Sequence, residues 1–230
     1  MNNIGDRESL NKTSLERKAL ESIKTFSLLS IIAFVLDAVI LVISLFYLTR
    51  LLSPLFQPTT PSASFLGLEI TIIVISIIVA IMLPLSFVFL RRGYKILKGI
   101  STDFSSPYTG VNLFFISLIL VVVGAIAIIP VALLHASVAA IAVGILAIVL
   151  IGAIMGPVGE ILALIVGSFR LRTHFNNSTY GTAGILFIVG ILVLFLSVVA
   201  AILVYVATDS QLKKDLSIPR YSVKWKDWLP

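Results

Sequence analysis

Two carboxyl groups stand where carboxyl groups are costly. Asp37 and Glu160 each interrupt a long apolar run. An ionisable side chain at the centre of a membrane helix costs about 2.5–3.5 kcal/mol on insertion scales, which makes it a functional candidate by default. Counted at about 1.5 Å per residue from the run edges near Phe26 and Arg170, Asp37 lies about 16 Å deep and Glu160 about 15 Å deep. At matched depth the two could face each other and share a proton. No Lys or Arg sits at that depth to pair with either. Glu160 also comes just after Gly156-Pro157, where carbonyls released from helix hydrogen bonding could join the carboxylate around a proton or cation. The plainer role for both acids is a protonated group hydrogen-bonded to a neighbouring helix, holding the bundle together. Glu69 lies only a few residues inside its run and reaches interfacial water.

Other chemistry is excluded by what the chain lacks. It has no cysteine, so no disulfide, iron–sulfur cluster, thiolate zinc site or cysteine nucleophile is expected. Its two histidines, His135 and His174, are too few for a histidine-rich metal or haem site. No nucleotide, cofactor or catalytic motif is present, so no enzymatic activity, bound metal or cofactor is expected. Of 230 residues, 59% are hydrophobic and 12% charged, with a mean hydropathy of +1.12. A soluble domain is about 25% charged, so these charges cannot cover a water-facing surface. The net charge of +6 then marks membrane orientation rather than nucleic-acid binding.

A transmembrane helix takes about 20 apolar residues to cross roughly 30 Å of hydrocarbon. Five runs meet that test, at about 26–49, 66–90, 110–134, 138–169 and 183–207. Pro130, with His135, Ala136 and Ser137 beyond it, supplies the turn between the third and fourth. Pro84 in the second run and Gly156-Pro157 in the fourth are expected to break or kink their helices. The expected fold is therefore an all-α polytopic transmembrane helical bundle of about five spans, with six as the competitor. Residues 1–25 form an amphipathic lead-in, 26–207 the bundle, and 208–230 a polar aromatic-basic tail ending Trp225-Lys226-Asp227-Trp228-Leu229-Pro230.

The lead-in is not a cleavable signal peptide, because its apolar run is too long and has no small-residue cleavage site behind it. Thr13 and Glu16 have capping-box spacing, and Leu15, Ala19 and Ile23 share one helical face, which suits a helix lying on a membrane surface or a solvated approach to the first span. Placing the N-terminus in the cytoplasm puts eleven Lys and Arg residues inside and six outside. The positive-inside rule thus favours a multi-pass protein of the cell membrane, N-terminus cytoplasmic and C-terminus external. Asn11-Lys12-Thr13 and Asn177-Ser178-Thr179 match the N-glycosylation pattern but fall on the inner side of this topology.

Ala80-Ile81-Met82-Leu83-Pro84 recurs 73 residues later as Ala153-Ile154-Met155-Gly156-Pro157, and Ser106-Pro107-Tyr108 recurs as Ser178-Thr179-Tyr180. Each copy reads as a Pro-containing span, a basic inner junction and a returning span, a parallel duplication of a two-helix hairpin. Gly152, Gly156 and Gly159 give the fourth span a small face for helix packing, within the chain or between copies. Arg91, Arg92, Lys95 and Lys98 form a basic inner loop, read as an orientation signal or a seat for anionic head groups.

Gly167-Ser168-Phe169-Arg170-Leu171 and then Tyr180-Gly181-Thr182-Ala183-Gly184-Ile185-Leu186-Phe187-Ile188-Val189-Gly190 resemble the last hairpin of an archaeal membrane family called domain of unknown function 996, mainly over residues 167–206. The isoleucine-rich, cysteine-free composition is similar to that of archaeal proteins. That resemblance implies a membrane fold and assigns no activity and no site residues.

The functional expectation is an integral membrane protein without catalytic activity, a structural or accessory subunit of a larger membrane assembly. The alternative is a small proton- or cation-coupled transporter or channel using Asp37 and Glu160. An enzyme acting on lipid is the weakest reading, for want of a nucleophile, metal cluster or paired base. The expected partners are the lipid bilayer and either other membrane subunits or a second copy of the chain, with no nucleic acid.

Overall fold

The computed structural model describes residues 3–52, 65–133, 139–191 and 193–217, and every regular element among them is helical. Away from water only a helix satisfies each backbone N–H and C=O within its own segment, so uninterrupted apolar runs take that form. Helix α1 spans Asn3–Leu52, α2 Phe65–Ile100, α3 Ser105–Leu133 and α4 Ala139–Glu160. A π turn, Ile161–Val166, carries α4 directly into α5, Gly167–Phe175; α6 is Ser178–Gly190 and α7 Leu194–Ser217. The fold is an all-α transmembrane bundle, with five helices long and apolar enough to cross a bilayer.

The helices pair locally. α1 packs along α2, α3 along α4, and α6 along α7, while α1 also packs on α7. The first two hairpins meet near the end of the bundle that carries Arg91, Arg92, Arg170 and Arg172, where Phe87 of α2 stacks on Phe114 of α3 with ring centroids 3.9 Å apart. The densest core lies at this basic end, built from Ile23, Leu90, Tyr94, Leu97, Phe104, Leu171 and Tyr180. Elsewhere leucine, isoleucine and valine side chains point outward along α1 to α4, a surface suited to lipid.

Several expectations are corrected. The lead-in is not a separate element: α1 is one 50-residue helix, so Thr13 and Glu16 lie well inside it rather than at its start. Ala19 and Ile23 are buried in the protein core, while Leu15 is exposed, so most of that apolar face packs on protein rather than on a membrane surface. Glu16 instead reaches His174 of α5 at 3.1 Å. Neither Pro84 nor Gly156-Pro157 breaks its helix, since α2 and α4 continue through them; the irregular turn comes four residues after Pro157. α3 likewise runs past Pro130. The turn at His135 and the tail beyond Ser217 lie outside the described residues. Arg91, Arg92, Lys95 and Lys98 occupy the last turns of α2 rather than a loop.

The largest correction concerns the fifth run. Residues 183–207 do not form one crossing. α6 ends at Gly190 and α7 returns antiparallel to it, as the hydrogen bond from Tyr180 Oη to Thr208 Oγ1 at 3.0 Å requires. With 13 residues, α6 rises about 20 Å, short of the roughly 30 Å of a hydrocarbon core. At the far end of α7, Asp209 accepts from Lys24 of α1 at 2.6 Å. The end of α7 at Asp209 therefore lies at the same end of the bundle as Lys24 of α1.

The candidate duplication has a partial structural counterpart. Ser105 and Ser178 each open a helix after a short turn; Asn177 caps α6 directly, whereas Ser101 caps the one-turn 3-10 helix Thr102–Phe104 that leads into α3. In the first copy the returning helix is 29 residues long and in the second 13. Asn177 Oδ1 accepts from Thr179 N, which gives the Asn-Ser-Thr pattern a capping role in the fold.

Candidate intramembrane acid site

Glu160 is the last residue of α4 before the π turn. It sits where three units converge: the α1–α2 hairpin, the α3–α4 hairpin, and the tip of the α6–α7 hairpin. Close helix approach fixes this vertex. Gly159, its neighbour in sequence, faces Gly110 of α3, and a Cβ at Gly159 would lie 2.6 Å from the backbone N of Phe114 and 2.7 Å from the Gly110 carbonyl. About two turns earlier, the Ser117 hydroxyl donates to the Gly152 carbonyl at 2.7 Å and lies against Gly156. The small face of α4, Gly152, Gly156 and Gly159, is thus turned onto α3 of the same chain.

A cavity of about 310 Å³ opens beside this vertex, lined by Phe34 of α1, Pro157 and Glu160 of α4, Ile161, Leu164 and Ile165 of the π turn, and Phe187, Gly190, Ile191 and Ser197 of the hairpin tip. A smaller one of about 50 Å³ lies toward α2 and α3, with Ser30, Ser86, Phe87 and Phe114 in its wall. Glu160, Phe34 and Leu164 line both. Among the described residues, no other titratable or charged side chain lines either cavity. Nor does the Glu160 carboxyl make a hydrogen bond or ion pair among them.

The hairpin tip is positioned by Gly190, where a Cβ would come within 2.9 Å of the Ser197 backbone N. Ile191 N still bonds back to Phe187 O at 3.3 Å, and Val193 N to Val189 O at 3.1 Å, so the chain turns with part of its helical bonding kept. That economy matters in a region where an unpaired backbone group has no water to turn to.

Of the two acids singled out by sequence, the structure brings Glu160 to the vertex but leaves Asp37 outside the lining of both cavities. Asp37 lies about one turn beyond Phe34 on α1. The two carboxyls do not form a shared site. Phe34, Phe187 and Ser197 were not foreseeable as lining residues, because nothing local separates them from other members of apolar runs. Gly190 was the one mark of the turn. No group of three or more His, Cys, Asp or Glu able to hold a metal occurs among the described residues.

The four basic residues of α2 are exposed at the basic end. Arg91 donates to Asn112 at 2.8 Å, and Lys98 lies over the Tyr108 ring, 5.0 Å from its centroid. Arg170 reaches Asp103 at 3.4 Å. With Lys24–Asp209 and Glu16–His174 these contacts tie the helix ends together, and the return of α7 brings Lys213 and Lys214 to this same basic end.

The chain belongs to the family described as Protein of unknown function (DUF973), matched over residues 16–225. This replaces the resemblance to domain of unknown function 996: both are uncharacterised, and a span start rich in glycine and leucine is too general a pattern to separate families. No curated protein and no solved structure matches the chain.

Proposed function

We propose that this member of the family is a non-enzymatic protein of the cell membrane that binds and moves protons or cations at Glu160. The observation that carries the reading is the position of Glu160, without a protein partner among the described residues, in a cavity capped by the tip of the α6–α7 hairpin. An acid that served only to hold helices together would be bonded to a neighbour; this one faces open space. π turns recur at functional sites, and here one comes directly after the acid. Asp37 takes no part in the site.

With the basic end cytoplasmic, the start of α1 and the end of α7 both face the cytoplasm. The accessory-subunit reading draws on the tail at Trp225 and Trp228, outside the described residues, and on no feature within them.

Reconstituted vesicles provide the test. Imposed gradients of protons or of a cation, whether sodium, potassium or a small organic ammonium ion, should drive a flux for at least one of them that Glu160→Gln abolishes and Asp37→Asn preserves. A flux indifferent to Glu160→Gln, or none for any ion in the wild type, overturns the proposal. Purification only in fixed ratio with another membrane protein would turn the reading toward the subunit role.

A further inference from the structure

We infer that the cation taken at Glu160 is a small organic ammonium ion with an apolar body rather than a metal ion; the inference rests on the reading of Glu160 as a cation site. Inorganic cations stripped of water demand oxygen cages, about six to eight oxygens for calcium and near-ideal octahedra for magnesium. The side chains lining the larger cavity supply the Glu160 carboxylate and the Ser197 hydroxyl, and the remainder of its wall is apolar apart from the backbone at Gly190. The smaller cavity adds only the Ser30 and Ser86 hydroxyls, the latter donating to the Leu83 carbonyl at 2.7 Å, so the side chains of both cavities together bring fewer than about six oxygens. Such a site cannot replace the hydration shell of a hard cation.

It does match an ion whose charge is carried by an apolar frame. Phe34 and Phe187 offer aromatic rings, and quaternary ammonium groups are recognised by aromatic faces together with a countercharge. Ile161, Leu164 and Ile165 provide the surface that removes hydrocarbon from water. At about 310 Å³ the cavity lies at the lower end of the roughly 300–1,000 Å³ range of small-molecule pockets, so the ligand is small. Pro157, Ile161 and Ile191 on the rim are exposed on the apolar outside of the molecule. A cation partitioned into the bilayer would enter sideways between the hairpins, without crossing the charged basic end.

The test uses the purified full-length chain in detergent, with benzyltrimethylammonium and its neutral isostere neopentylbenzene as probes in equilibrium dialysis. Benzyltrimethylammonium should bind the wild type and Asp37→Asn alike. Affinity should fall about tenfold or more in Glu160→Gln, as expected when one member of a desolvated charge pair is lost. It should fall about two- to fivefold in Phe187→Leu, the scale of one cation–π contact. Neopentylbenzene should not distinguish wild type from Glu160→Gln. Glu160 is exposed in the groove, so its amide replacement leaves the packed core alone, and an unchanged gel-filtration profile checks that. Binding of benzyltrimethylammonium that ignores Glu160→Gln overturns the inference. Absence of that binding, with a proton or metal-ion flux still dependent on Glu160, overturns the ligand class and leaves the cation site standing. Absence of both removes the site itself.

Discussion

The buried hydroxyl of Tyr94 on α2 donates to the main-chain carbonyl of Ala163, 2.8 Å away in the π turn. A π turn shifts the hydrogen-bond register by one residue, and a displaced carbonyl inside the bundle needs another donor. The extra residue also rotates the helix before it by about 100° relative to the helix after it. Glu160 lies on one side of that turn, and α5 with its basic residues lies on the other. Tyr94 thus braces, from a different hairpin, the turn that directly follows Glu160.

Tyr94→Phe removes only the hydroxyl. It should lower stability by about 1–3 kcal/mol, the cost of an unpaired buried carbonyl, measured by reversible unfolding in mixed micelles. It should also weaken Glu160-dependent flux with Glu160 itself intact. Full flux beside lowered stability would confine Tyr94 to a structural role.

The α3–α4 crossing admits no side chain at Gly159, so Gly159→Ala should destabilise by about 1–3 kcal/mol through overpacking. Gly144, on the same helix, has nothing within 4 Å of a built Cβ. There alanine should be neutral or stabilising by up to about 1 kcal/mol, through helix propensity alone. Equal losses at both positions, read from melting in detergent, would contradict this crossing.

Thr208 is fully buried; it accepts from Tyr180 Oη and donates to Val204 O at 2.7 Å. Thr208→Val leaves the phenol without its acceptor and should cost about 1–3 kcal/mol. Combined with Tyr180→Phe the cost should be less than the sum of the two single changes, since the orphaned donor is then gone. Strict additivity would show that α6 and α7 do not pair at this point.

Because the chain has no cysteine, single-cysteine variants report topology cleanly. Lys12→Cys and Lys213→Cys should react with an impermeant maleimide from the same side of the membrane, since both positions are exposed and belong to the end of the bundle joined by Lys24–Asp209. Labelling from opposite sides would contradict the α6–α7 hairpin.

Much of this protein was legible one residue at a time. The desolvation penalty of bare backbone forces an apolar run of sufficient length into a helix whatever surrounds it. The helices of residues 26–49 and 66–90, and the isolation of Glu160 and Asp37, could therefore be read directly. The clustering of Arg91, Arg92, Lys95 and Lys98 was equally local, although their place within α2 rather than a loop was not.

The hairpin at Gly190 was hidden because its turn lies among other helices. A turn meeting water advertises itself with polar residues, whereas this one keeps Ile191 and Val193 and shows only a glycine that lets Ser197 approach. The choice between Glu160 and Asp37 was hidden for a related reason. Depth along a helix comes from counting, but the direction a carboxyl faces depends on which neighbours pack around it. Composition determined a helical membrane protein with two costly acids. Long-range contacts, Gly159 on Gly110, Tyr94 on Ala163 and Tyr180 on Thr208, decided that Glu160 meets a cavity and that the chain turns back, because those contacts join residues that sequence proximity cannot relate.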